Sequence, residues 1–568
     1  MDTQRGRASW RGQLTLRGVA IGSIGCVIIT ASSAYTALKL GALPWPIVFA
    51  AVISLFFLKL LGNASLNEAN VTHTIMSAGA MVAGGLAFTI PGAWMLGLGA
   101  QFGWVEIFLV ALAGTVLGLV CTAIIHRHFI VDNELEFPTG TAAAETLRAA
   151  ETGGKTGVQL FSSMGVAALW ATLRDALGVM PAMLLQLPIP GVAFGIYNSP
   201  MMLSVGFLVG MVPLLFWFGG AVFANFGLIW GGSAAGIWSV DVARGIVSSL
   251  GMGLMMGSGL ATVAKDILPK VGGIARGLRD SAGADGDGAA QASIVTGSLK
   301  TDAGLFALAA AVVAVLVGFV LGLGPVPAVI VVLLTFVTTI MSAQSCGQTG
   351  IDPMEIFGLI VLLVVAALGQ STQVQLFFVA GIVAVACGLA GDVMNDFKAG
   401  HMLGTDARAQ WLGQALGGVL GALVAAGVMV ALVSAYGPDA FGPGKAFVSA
   451  QASVVATMVS GIPSVPAFVI GIVAGIALYW AKLPAMLVGL GVYLPFYMSF
   501  SSFLGALVKF VYDKVQAGRR AGLSESERAE KTERDENAGL VVASGVLGGE
   551  SIAGVVIALV SLCTGLMG

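Results

Sequence analysis

The densest polar chemistry in this mostly apolar chain lies in one stretch, Gly391-Asp392-Val393-Met394-Asn395-Asp396-Phe397-Lys398-Ala399-Gly400-His401-Met402-Leu403-Gly404. On a helix, Asp392 and Asp396 share a face, Asn395 lies beside them, and Lys398 is available to pair locally with Asp392. A carboxylate whose partner can change binds a proton or a cationic solute and releases it when its surroundings change. A solvated connection between two spans would carry the same residues, since the stretch follows an apolar run.

A second cluster runs from Asp132 through Glu134, Glu136 and Phe137 to Pro138-Thr139-Gly140-Thr141, with Glu145 close behind. Pro138 ends an extended stretch, Thr139 or Thr141 can cap the next helix, and the free amides of its first turn would face an anion. Gly140 lets another group approach the backbone closely. The segment suits a re-entrant substrate loop or an ordinary capped helix. Glu68, beside Asn67, Asn70 and His73, is expected to open one apolar helix, and Glu550 to open the last. An acid in a first turn is also common capping chemistry. Asp241 and Arg244 are spaced to pair. Around Met341–Pro353, hydroxyls and amides predominate. Four histidines and five single cysteines show no metal-ligand spacing, so no protein-borne metal or cofactor is expected.

The elements that position these residues follow from composition. Hydrophobic residues form 57% of the 568 positions and charged residues 10%, far below the quarter usual in soluble chains. Apolar runs of 18 or more residues recur, each able to cross a hydrocarbon core about 30 Å thick. They do not alternate as the strands of a membrane barrel would. About sixteen spans are expected, from 15–38 through 373–391, 409–434 and 484–511 to 539–564, with 445–459 as a further short span or re-entrant piece. Arg5, Arg7, Arg11 and Arg17 favour a retained first helix with a cytoplasmic start. Nothing in the net charge of -2 points to nucleic acid.

Three organising features follow. Residues 279–300 read as a flexible loop between an N-terminal half, 1–278, and a C-terminal half, 301–568, and the charged segment near 512–537 reads as a surface helix. Gly114–Gly118 and Gly417–Gly421 have the spacing that lets helix backbones pack closely. Prolines such as Pro138, Pro463, Pro466 and Pro495 interrupt spans, which a bilayer tolerates only where protein or a wet cavity covers the freed carbonyls. Secondary transporters hold solutes at such breaks.

The clusters also carry a family likeness. Tyr35 through Pro46, Asn67-Glu68-Ala69-Asn70, Leu135 through Glu145, Gly391-Asp392 with Asp396 through Gly404, and Gly549-Glu550 together resemble motifs of the oligopeptide transporter superfamily. They are more similar to its yellow-stripe-like, metal-chelate branch and prokaryotic relatives. The resemblance implies an all-α membrane protein of about sixteen transmembrane helices, built from a duplicated eight-helix unit. It further implies proton-coupled symport of small peptides, glutathione-like molecules or chelated metal across a cell membrane, the inner one in a diderm bacterium, with room for a homodimer. Glu68, Glu145, Asp392, Asp396, Lys398 and Glu550 match the family's positions. A passive channel is the alternative. A membrane-embedded hydrolase or pump is disfavoured, because no Gly-x-x-x-x-Gly-Lys-Ser/Thr loop or His-Glu-x-x-His pair occurs.

Overall fold

The computed structural model describes residues 10–41, 43, 47–62, 64–132, 135–152, 156–267, 269, 294–295, 299–349, 352–369, 371–460, 463–520 and 522–567. Most of the 279–300 loop, together with Pro44, Pro46, Asn133 and Glu134, lies outside the described residues.

The apolar runs become helices, and the chain is an α-helical, multi-pass membrane protein. Among the described residues nine helices are long and apolar enough to cross a bilayer, and shorter apolar helices accompany them. Those used below are α1 (Leu16–Leu40), α2 (Leu66–Ala87), α3 (Trp104–His126), α4 (Pro138–Thr152), α5 (Thr156–Ala171), α6 (Pro200–Val209), α7 (Pro325–Thr349), α8 (Met354–Ala367), α9 (Gln373–Leu403), α10 (Ala407–Tyr436), α11 (Phe496–Arg519) and α12 (Glu525–Met567). They divide between two compact units whose segments alternate along the chain. The first comprises Met1–Ala37, Trp45–Gly153 and Thr262–Val433, and the second Leu38–Pro44, Gly154–Ala261 and Ser434–Gly568.

In the first unit α9 is the central element, packed by α2, α3, α7 and α8 and buried along nearly its whole length. Thr372 and Gln375 cap its start reciprocally, and Gly404, at φ +75°, ends it. The expected span end at 391 is therefore corrected. No proline interrupts 373–403, so the helix continues through the acidic cluster for 31 residues, about 46 Å. Leu389, Val393, Met394 and Phe397 of α9 share a core cluster with Phe129 and Phe137.

Close approach to α9 and α2 depends on the small residues noted above. A Cβ on Gly114 or Gly118 would press on the Ile382 or Ala386 carbonyl of α9. On Gly417 or Gly421 of α10 it would run into the backbone of Ile75 or Gly79 of α2. Helix contact at backbone distance is what the Gly-x-x-x-Gly spacing permits.

The second unit is built on aromatic packing of Phe194, Phe218, Phe226, Phe496 and Phe500 with Val192 and Ala221. It also contains an antiparallel hairpin, β1 (Met183–Ile189) and β2 (Val192–Tyr197), an addition to the expected helices. Pro190-Gly191 makes its turn, with Gly191 at φ +79°. The expected 484–511 span is two helices, Ala485–Tyr493 and α11. Pro495 lacks a donor and holds Leu494 in extended backbone, at ψ 149°. The charged segment is split, its first residues ending α11 and its later ones forming the start of the 43-residue α12. Within 445–459 the chain forms the helix Ala450–Ser460, whose 11 residues rise only about 17 Å, short of a hydrocarbon core.

Gly421→Leu is expected to lower the melting temperature of the detergent-solubilised protein, at a cost of about 1–3 kcal/mol for overpacking. Gly219→Ala, where a Cβ would meet open space, should leave melting unchanged.

Candidate functional site: a buried acid pair

Asp392, Asn395 and Asp396 of α9 are all fully buried, at 0% exposure. The two aspartates stand at i and i+4 on one helix, so both carboxylates face the same neighbours on α2 and α10. Ser77 Oγ of α2 lies 2.9 Å from Asp392 Oδ2 and 3.2 Å from Asp396 Oδ2. From α10, Gln414 Nε2 donates to the same two oxygens at 3.2 and 2.6 Å. His73 Nδ1 of α2 stands 3.6 Å from Asp396 Oδ1, near but beyond a normal hydrogen bond.

Donors are fewer than this site needs. Ser77 has one proton to give and the Gln414 amide two, while the two carboxylates present four oxygens. Asp392 Oδ1 and Asp396 Oδ1 have no hydrogen-bond partner, and neither do the two His73 ring nitrogens or Gln414 Oε1. None of the described ion pairs brings Lys or Arg to either aspartate. The local Lys398–Asp392 pairing is therefore corrected. Six residues turn a helix by about 600°, which puts the half-buried Lys398 on a different face from Asp392.

The 138–141 segment docks on this part of α9. Gly140 N–H donates to Asn395 Oδ1 at 3.0 Å, and Asn395 Nδ2 donates back to Gly391 O at 2.8 Å. A Cβ at Gly140 would strike the Asn395 carbonyl, so glycine here serves protein packing. The amide expected to face an anion is thus occupied by Asn395. Thr141 Oγ1 donates to Glu136 O at 2.8 Å instead of capping the helix. Phe137 sits at φ +43° with its N–H on Gly347 O. Pro138 and Glu145 are exposed and Thr139 is half-buried.

Glu68 and Glu550 are matched differently. Glu68, in the first turn of α2, receives Arg17 Nε and Nη2 at 2.7 and 2.6 Å and Thr15 Oγ1 at 2.5 Å. Glu550 does not open a helix as expected, because α12 begins at Glu525 and absorbs it. In the second unit it accepts from Arg174 Nη2 at 2.9 Å, Ser199 Oγ at 2.7 Å and Met201 N–H at 2.7 Å, joining α12 to the start of α6. Arg174 also grips Asp175 through Nε and Nη2 at 2.7 and 2.6 Å. Asp241 and Arg244 do pair, at 3.6 Å, but in an exposed position where such a bridge contributes little.

The chain that carries this acid pair is similar to known sequences along most of its length. The family model described as "OPT oligopeptide transporter protein" matches residues 13–561. The chain belongs to the OPT oligopeptide transporter family. A Haemophilus influenzae protein named "Putative oligopeptide transporter" is 26% identical to it over 599 residues, covering 93% of this chain and 92% of the relative. This OPT chain is accordingly a transporter-family protein and not an enzyme. Among the described residues, no group of three or more His, Cys, Asp or Glu is arranged to hold a metal ion.

Sequence reasoning on this OPT chain passed over Ser77, Gln414 and Arg174. Arg174 had a usable signal, a guanidinium inside the apolar run 160–179. Ser77 and Gln414 had none, since uncharged polar residues are common in membrane helices and their partners are over 300 and about 20 residues away.

Arg174 and Glu550 have side-chain exposures of 1% and 2%. Glu550→Ala is expected to destabilise the detergent-solubilised protein by about 1–3 kcal/mol, because Arg174 keeps Asp175 while Ser199 and Met201 lose their buried acceptor. In a thermal-melting double-mutant cycle with Arg174→Met, the combined loss should fall short of the sum of the two single losses.

Proposed function

We propose that this OPT protein is a proton-coupled symporter of small oligopeptides or related peptide-like or metal-chelate solutes, with Asp392 and Asp396 carrying the proton. The donor deficit at the acid pair supports this. Two ionised carboxylates without a cation, in the dry interior of a helix bundle, would face a desolvation penalty of several kcal/mol each and would also repel one another. A proton held between them supplies the missing donor and removes one charge. His73, 3.6 Å from Asp396, is the nearest group able to pass that proton on.

The finer architecture belongs to the same proposal. It comprises about sixteen crossings from a duplicated eight-helix unit, halves at 1–278 and 301–568, and residence in the cell membrane, the inner one in a diderm, as a monomer or homodimer. Glu68, Glu550, Asn395 and the first turn of α4, residues 138–141, act by positioning helices around the transport path. Glu145 and Lys398 lie on the margin of that path.

The test is uptake of a labelled tetrapeptide, glutathione and an iron chelate, in parallel, by the purified full chain in liposomes under an inward proton gradient. Asp392→Asn should reduce gradient-driven uptake by roughly 5–150-fold, the range of ordinary coupling free energies. The exposed Glu145→Gln should stay near wild type. Uptake that persists undiminished when a protonophore collapses the gradient would sink the coupling claim.

A further inference from the structure

A third carboxylate of the first unit shares the acid pair's lack of counter-charge. Asp352 stands in the short connection between α7 and α8, outside the spanning helices. The residue is partly exposed, yet its Oδ2 is buried and has no hydrogen-bond partner. Its Oδ1 lies 2.8 Å from Ser342 Oγ of α7, and the same hydroxyl lies 3.0 Å from the Cys387 carbonyl of α9. Ser342 itself is fully buried. One hydroxyl proton cannot serve both acceptors at full strength.

Among the described residues, the groups facing Asp352 include no cation. They are Ser342 and Cys346 from α7, Glu355 from α8 and Cys387 from α9. Burial pushes the Asp352 carboxyl up to about 7, and the Ser342 hydrogen bond pulls the other way.

We propose that Asp352 is a second proton-binding carboxylate of this protein, with Ser342 as the hydroxyl that serves both of its charge states. This rests on proton coupling at the acid pair and extends it. Ionised, Asp352 accepts the Ser342 proton. When a proton from solvent water forms a new O–H bond on Asp352, that O–H donates to Ser342 Oγ. Ser342 then turns its own proton to the Cys387 carbonyl, and the reverse sequence returns one proton to solvent. Cys387 precedes Asp392 by five residues on α9, about 7.5 Å along the axis. The turn of Ser342 is thus registered on the helix that carries the acid pair.

The experiment is pH-difference infrared spectroscopy of the reconstituted full chain, read in the carbonyl-stretch band of protonated carboxyl groups, which needs no substrate. Asp352→Asn should remove one component that titrates near neutral pH. Asp392→Asn should remove a different one. Ser342→Ala should shift the Asp352 component upward by about one pH unit, the equivalent of one hydrogen bond to a charged group. The proposal is overturned if Asp352→Asn keeps the full band, or if Glu355→Gln removes the component assigned to Asp352. Should Asp352→Asn fail to fold, an unmoved band in Ser342→Ala overturns it equally. An Asp392→Asn band identical to wild type, with the Asp352 component lost as expected, would instead remove the acid-pair function and leave Asp352 standing.

Discussion

Two carboxylates held at zero exposure without a cation set the main constraint on the first unit. Every described donor that reaches them is neutral, and each comes from a different helix than the acids themselves. Their placement therefore depends on α2 and α10 coming close enough to α9 for short side chains such as Ser77 to reach. That closeness comes from glycine. Gly417 and Gly421 set α10 against α2, and Gly114 and Gly118 set α3 against α9, at separations that admit no Cβ. The chemistry of the site and the small-residue packing are two aspects of one arrangement.

Four of the buried acids in this protein fall into two physical classes. Glu68 and Glu550 are each met by a guanidinium and by hydroxyl or backbone donors, so their charge is matched and their effect is to tie neighbouring elements together. Asp392 and Asp396 are under-supplied, with one oxygen of each left unmatched. A fully matched carboxylate has little reason to change its charge state. An under-supplied one gains a hydrogen bond by doing so, and this difference separates a structural acid from a proton carrier.

Helix continuity decides whether a polar stretch lies within a helix or at a break between two. α9 has no proline to stop it, so the Gly391–Gly404 stretch lies inside a 31-residue helix and not at a solvated edge. Pro495 does the opposite, dividing an apolar run into two helices. At Gly140 and Asn395, one amide-to-amide hydrogen bond fixes the first turn of α4 on α9 and occupies the Gly140 N–H that an isolated turn would have offered to an anion.

The sequence by itself determined the solvent of this protein. Fifty-seven per cent hydrophobic residues and long apolar runs require a helical membrane protein, because an isolated helix satisfies its own backbone. It also determined that Asp392 and Asp396 share a helix face, since a four-residue spacing is a local property. Only the tertiary structure decided that Arg174 answers Glu550 across 376 residues and that Ser77 and Gln414 are the acid pair's donors. Hydrogen-bond partners of that kind are set by which helices touch. That depends on where backbones can approach, and no local pattern of residues encodes it.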